Sequence, residues 1–337
     1  MSGTRHHFLP RFLQEGFVSR RTSGHRYTWV FLKGAPAFET NLSNVGVEAK
    51  FYSDGNPDVD ERITEAETSQ FAPLVKALRD APPGPVASAG IPELVAHLEV
   101  RTRHLRESFG KDAAALLSKY GAFLLDEDAA AERFLQYFLR EGHREEARKR
   151  GIPPHLLSAA ARARAAQLKE GLRPTIQQLA SAFRTYSVPA EVKIAHIASL
   201  RRAIAPEGRA LAYRGLQYSV RETGEARFIL GDSAVVCVLV GETRFTPLLD
   251  KDANLRAIYL PLTPNRVLVG AADSEELNVG DFGEGSARCS LEFFIAAEES
   301  DYQRGLQGMI GSAADMLTDD DMQAIFDEVM REQADGN

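Results

Sequence analysis

FILGDSAVV, residues 228–236, sets the triplet Gly231-Asp232-Ser233 within an apolar run, the arrangement in which a GDSL-type serine esterase presents its nucleophile. A serine hydroxyl attacks only when a base takes its proton, and in those enzymes the histidine comes from a late Asp-x-x-His segment. The last of the eight histidines of this chain is His196, so no base follows Ser233. The polar residue left to explain is Asp232. Metal chemistry needs donors gathered within about 2 Å of one ion, and no HExxH, HxxxH or CxxC pair is present. His97 and His104 are seven positions apart, so one continuous helix would separate them by roughly 10 Å along its axis. His6 and His7, with Glu65, Glu67 and Asp232, have the donor types of an imidazole-and-carboxylate site, provided the fold gathers them. GDFGEG (280–285) brings three glycines of the kind that approach phosphate, yet it lacks the GK[ST] ending of a P-loop and reads as a loop. HREEARKR (143–150) alternates signs and reads as a solvated helix face.

Composition narrows the classes. The chain has 337 residues and a formal net charge of -7, which argues against a broad basic surface for duplex DNA. Only Cys237 and Cys289 are present, too few for a disulfide framework, so a reducing cytosol is the expected compartment. MSGTRHHFLPRF lacks the apolar core of a secretory signal, and no apolar run reaches the roughly 20 residues that span a bilayer. A cytoplasmic protein without membrane partners is expected.

The elements that must position these residues follow from period and punctuation. Residues 1–57 form a β-rich segment, with RYTWVFLK (26–33) its clearest strand, bounded by SGH and GAP as turns. From residue 58 the period lengthens: Ile63, Ala66, Phe71, Leu74, Val75 and Leu78 recur at helical steps. APPGPVASAG (81–90) interrupts as a connector, and further helical patterns complete a block over 58–207. Residues 208–317 return to strands, in ALAYRGLQYSV, RFILGDSAVVCVLVG and RAIYLPLTPNRVLVGAA, before SLEFFIAAEESDYQRGLQGMIGSAADML reads as helix. An acidic tail occupies 318–337. The fold class expected is α+β, a mixed or antiparallel sheet built from both chain ends and packed with a large central helical insertion.

HHFLPRFLQEGF carries His7, Pro10, Phe12 and Phe17 in a His-x-x-Pro-x-Phe pattern followed by another aromatic; VGVEAKFYS adds Glu48, Phe51 and Tyr52; ITEAETSQFAPLVKAL adds Glu67. These segments resemble, in order, the opening of the domain of unknown function 4238 family. The likeness continues through ILGDSAVV, which puts Asp232 on the family's aspartate, and through IYLPLTPNRVLV, with Pro261, Leu262, Thr263 and Pro264 on its proline pair. The chain departs from the family pattern around that aspartate, with Gly231, Ser233 and Ala234 where serine, asparagine and proline stand. The resemblance singles out His7, Glu67 and Asp232, which are types used for proton transfer or for holding a divalent ion. The expectation is a phosphodiester hydrolase of the nuclease kind. His7 would be general base or ligand, Glu67 and Asp232 ligands or acid, and Arg11 a phosphate clamp for nucleic acid or another phosphodiester; the cofactor is left open, a divalent metal held by His7, Glu67 and Asp232 being one option. The alternative is a non-enzymatic interaction or sensor module that presents a helical surface to a protein partner, with the same polar residues tying the fold together.

Overall fold

In the computed structural model the described residues are 5–52, 58–126, 130, 148–153, 155–156, 165–185, 188–225, 227–240, 245–248, 254–272, 279–314 and 323–325. The N-terminal part holds β1 (Arg5–His7), α1 (Arg11–Gln14), β2 (Arg20–Thr22), β3 (His25–Leu32), β4 (Phe38–Asn41) and β5 (Val47–Ala49). Helices α2 (Asp58–Ala66) and α3 (Ala72–Asp80) are joined without a break by a π-helical turn, Glu67–Phe71. Then come β6 (Gly84–Pro85), α4 (Ile91–Arg101), α5 (Arg103–Leu125), α6 (Ala165–Thr185), α7 (Val188–Arg202) and α8 (Glu207–Tyr213). The C-terminal part holds β7 (Gln217–Glu222), β8 (Leu230–Gly231), β9 (Val236–Leu239), β10 (Phe245–Thr246), β11 (Leu255–Thr263) and β12 (Arg266–Ala271), followed by α9 (Phe282–Cys289), β13 (Phe293–Ala296) and α10 (Asp301–Gln307).

The class is α+β, with antiparallel sheets that draw strands from both chain ends. β3 pairs with β2 and β4 from its own end and with β13 from the other, in register Phe293↔Leu32 to Ala296↔Trp29. Its aromatic and β-branched residues suit a pleated, partly buried surface. A six-stranded sheet has the order β10-β9-β11-β12-β7-β6. Because successive side chains of a strand point to opposite faces, β11 splits its residues between two cores: Ile258, Leu260 and Leu262 join the main cluster, whereas Ala257 and Tyr259 join a second one. The main cluster is completed by Phe8, Leu13 and Phe17 near the N-terminus and by Ile63, Val75 and Leu98 from the helices. Phe282 and Cys289 of α9 cover the second face.

Two compact units divide the chain, Met1–Ser108 with Glu191–Met316, and Phe109–Ala190 with Leu317–Asn337. The division falls inside the 58–207 helical stretch, because α2, α3 and α4 bury their apolar stripes in the core that the sheet residues build. Within the second unit α6 and the later part of α5 are described, and Lys119 donates to Gln323 at 2.7 Å. HREEARKR up to residue 147 and most of the 318–337 tail lie outside the described residues.

Four local expectations are corrected. GDFGEG is not a loop: Phe282–Cys289 is helical, and Gly283 and Gly285 are buried where a Cβ would meet Arg227 O (2.6 Å) and the Phe245 ring (2.7 Å). Those glycines serve close packing. LEFFIAA is not helical over Phe293–Ala296, whose four buried residues form a strand; a short apolar run has no periodicity to tell the two apart. ALAY is helix instead of strand, started by Pro206 at the N-cap and Glu207 in the first turn. His97 and His104 do not share a helix, since Thr102 is extended and separates α4 from α5.

Candidate functional site

The N-terminal strand and the helix after it are fastened from several sides. β1 pairs with β5 in register His6↔Glu48. Gln14, fully buried, donates to the Leu9 and Val45 carbonyls at 2.8 and 3.2 Å, which fixes the bend that Pro10 begins. Arg79 of α3 donates to Leu13 O and Leu262 O, both at 2.9 Å, and so ties α1 to the six-stranded sheet. Gly16 is required there, because a Cβ would meet the Leu262 carbonyl and lie 2.7 Å from the Arg79 guanidinium.

Over this base opens a cleft of about 470 Å³. β1 contributes Arg5, His6 and His7 to its lining, α1 contributes Arg11 and Phe12, and α4 contributes Arg101. The remaining wall is one face of the 58–80 helix, with Asp60, Ile63, Thr64, Glu67, Thr68 and Ala72. Spacings of three and four put these on one side. The π turn begins at Glu67, beside the bond from the Ser69 hydroxyl to Glu65 O at 2.7 Å. Turns of this kind recur at functional sites.

The polar atoms of the lining are committed in a definite pattern. His7 Nδ1 lies 3.1 Å from the Val45 carbonyl, which accepts only, so the ring proton sits on Nδ1 and Nε2 is the acceptor. Burial pushes the His7 pKa down to about 4, the Val45 bond opposes this, and repulsion from Arg11, Arg101 and Arg5 adds to the lowering. At neutral pH the ring is uncharged. His6 stacks on Tyr52 with ring centres 5.7 Å apart and accepts from the Tyr52 N–H at 2.9 Å; its Nε2 faces Asp60 at 3.9 Å. Arg101 donates from Nε to the Tyr52 hydroxyl at 3.0 Å and from another nitrogen to the His7 carbonyl, and its guanidinium meets the Glu67 carboxyl. Beneath Glu67, His97 Nε2 is 3.2 Å from Oε1, while Nδ1 faces the Ile204 carbonyl at 3.1 Å. Phe71 stacks on the His97 ring at 4.7 Å. Three arginines face two acidic side chains in the lining, so the cleft is electropositive.

Of the residues the sequence singled out, His7, Arg11 and Glu67 meet in this cleft, and Asp232 is not part of its lining. The Asp232 carboxylate is buried and accepts backbone N–H groups of Leu291, Glu292 and Phe293 at 2.7, 2.8 and 3.2 Å. Its own N–H donates to Phe293 O at 3.1 Å, so the side chain caps the turn that leads from α9 into β13. Burial raises its pKa to about 6, and the three N–H bonds work against that rise. Ser233 beside it is buried, with a hydroxyl that has no hydrogen-bond partner among the described residues, and Ala234 takes a positive φ of 62°. A divalent ion does not fit His7, Glu67 and Asp232 together: the Asp232 oxygens are filled by backbone donors, and the Glu67 carboxyl is held by Arg101 and His97. Among the described residues no group of three or more His, Cys, Asp or Glu side chains is placed to hold a metal ion.

Arg5, Asp60, His97 and Arg101 were not expected in the site. A signal existed for two of them. IPELVAHLEVR is buried at every position except Glu93, and a polar residue on such a helix, here His97 and Arg101 four apart, needs a partner inside the protein.

A family model described as Protein of unknown function (DUF4238) matches residues 5–301. No curated protein and no solved structure matches the chain. Among the described residues no helix is long and apolar enough to cross a membrane.

Proposed function

The chain belongs to the DUF4238 family, proteins of unknown function, and we propose that it is a phosphodiester hydrolase whose chemistry takes place in the cleft. The observation that carries this proposal is the state of His7. Its Nδ1 proton is held by Val45, which leaves Nε2 as a proton acceptor in a cleft that also displays Arg5 and Arg11. A neutral imidazole takes a proton from an attacking water, and guanidinium groups match the charge that grows on phosphate oxygens. Glu67 supplies the acid for the leaving oxygen, and Arg101 holds it against the strand that carries His7. Asp232 belongs to the scaffold. The substrates are nucleic acid strands or smaller phosphodiesters, entering as anions an electropositive cleft of this size.

The test is to incubate the purified protein with RNA and with DNA, with and without divalent metals. His7→Ala lowers kcat/KM by about 100-fold or more, the usual contribution of a positioned general base. The wild-type rate stays level through neutral pH and falls as pH drops toward about 4, where His7 becomes charged. Equal rates for wild type and His7→Ala would sink the proposal. A second reading, a module that presents a helical surface to a protein partner, draws support from exposed Phe109, Ile152 and Leu156 in the Phe109–Ala190 unit. For that reading, Phe109→Ser abolishes partner capture while His7→Ala leaves it intact.

A further inference from the structure

Both ring nitrogens of His97 face oxygen atoms, Nδ1 the Ile204 carbonyl at 3.1 Å and Nε2 the Glu67 carboxyl at 3.2 Å. A carbonyl has no hydrogen to give, so Nδ1 carries one. The contact between Nε2 and Oε1 is then a hydrogen bond only when a second proton lies on one of those two atoms. Without it, two sets of lone pairs would oppose each other where His97 is sealed from solvent, at a cost of the kind that buried unpaired polar groups carry. We propose that His97 and Glu67 hold one proton between them at neutral pH, and that Glu67 delivers it to the leaving oxygen in the cleft, with His97 as the positioning residue that keeps the carboxyl loaded and aimed.

The neighbours are consistent with a proton held mainly by the carboxyl. Phe71 stacks on the imidazole, and burial pushes His97 down to about 4, toward the neutral ring. Arg101, on the same helix as His97, meets the same Oε1 and pulls the other way by favouring a carboxylate. The other charged or titratable groups of the lining are Arg5, His6 and His7 on β1, Arg11 on α1 and Asp60 on α2. In the reaction, the water oxygen bonds to phosphorus while one water proton passes to His7 Nε2. The bond from phosphorus to the leaving oxygen breaks, and that oxygen takes the Glu67 proton. His7 then releases its proton to solvent, and the His97–Glu67 pair takes one back, so the net change is ester plus water to acid plus alcohol.

The shared proton stands on geometry alone, whereas its delivery rests on the hydrolase proposal, and two measurements separate them. In full-length protein with ¹⁵N-labelled histidine and ¹³C-labelled glutamate, nitrogen NMR and infrared spectra at pH 7 show either a protonated carboxyl assigned to Glu67 or a proton on His97 Nε2. The assignment is made by loss of the signal in Glu67→Gln or His97→Gln. An unprotonated Nε2 together with an ionised Glu67 overturns the shared proton. For delivery, two diesters are compared, one releasing p-nitrophenolate, which needs no acid, and one releasing a nucleoside alkoxide. Glu67→Gln, whose amide still donates to His97, slows the second about 100-fold and the first only a few-fold. His97→Gln moves the alkaline limb of kcat/KM for the alkoxide-releasing diester alone. Equal slowing of both diesters, or an unmoved limb, overturns the acid role. A wild type that cleaves neither diester overturns the hydrolase proposal and delivery together, while the spectra still decide the shared proton.

Discussion

His196 lies in the same compact unit as the cleft, with its ring against Phe51 at 5.9 Å and its Nε2–H donating to the Val100 carbonyl at 2.6 Å. Burial is the main cause that lowers its pKa from 6.5 to about 4, with the Val100 bond opposing and Arg106 adding repulsion. Between those two values the unfolded chain takes the proton and the folded chain does not, so stability is full above about pH 6.5 and drains as pH falls toward 4. At about 1.4 kcal/mol per pKa unit the total loss approaches roughly 3 kcal/mol. His196→Phe keeps a ring beside Phe51, removes the titration, and loses one hydrogen bond of about 1 kcal/mol at every pH. The variant is therefore about 1 kcal/mol less stable than wild type at pH 7.5. At pH 4.5 the order inverts, and the variant is more stable by roughly 1 to 2 kcal/mol. Trp29, the lone tryptophan, sits on β3 in the same compact unit as His196, so urea unfolding followed by its fluorescence reports the right part of the molecule. Other titrating groups are common to both proteins and cancel in the difference. Parallel stability curves from pH 7.5 to 4.5 would show that His196 is not held neutral by burial.

Two further outcomes test the frame around the site. Asp232→Asn replaces a two-oxygen acceptor with one oxygen and an amide that faces backbone N–H groups, so the unit unfolds with a loss of roughly 2 kcal/mol by Trp29 fluorescence; unchanged stability contradicts a capping role. Gly285→Ala forces a Cβ against the Tyr259 hydroxyl and the Phe245 ring and costs about 1 to 3 kcal/mol. Gly110→Ala, in a helix with open space around it, gains up to about 1 kcal/mol in helix stability. A loss at Gly110 matching that at Gly285 would refute the close-packing account.

The fold was legible wherever local pattern and tertiary demand agree. RYTWVFLK is rich in aromatic and β-branched residues between turn signals, and its first seven residues lie in β3; the apolar steps from Ile63 to Leu78 became the helix that walls the cleft. Legibility failed where the deciding partner is remote. FFIA takes its strand form from β3, whose Leu32 pairs with Phe293 across 261 positions of sequence. The glycines of GDFGEG take their meaning from Tyr259, Phe245, Tyr302 and Arg227, which no local window contains.

The site divides along the same line. His7, Glu67 and Arg11 sit in segments whose residue types already suggest proton transfer and phosphate binding, and the cleft collects all three. Asp232 has the same chemical type but a different environment: its oxygens meet three backbone donors instead of a cavity, and that is decided by the path of residues 291–293. His97 is the converse case. Seven residues from His104, it invites a search for metal ligands along one helix, yet the extended Thr102 ends that helix first. Its partner is Glu67, thirty positions earlier, brought to it by the π turn and the packing of Phe71. Residue type thus states which chemistry a side chain is able to do, and the donors and acceptors around it decide whether it does any. A carboxyl with three N–H donors is spent on the fold, whereas one that meets an imidazole nitrogen across a shared hydrogen keeps a proton to give.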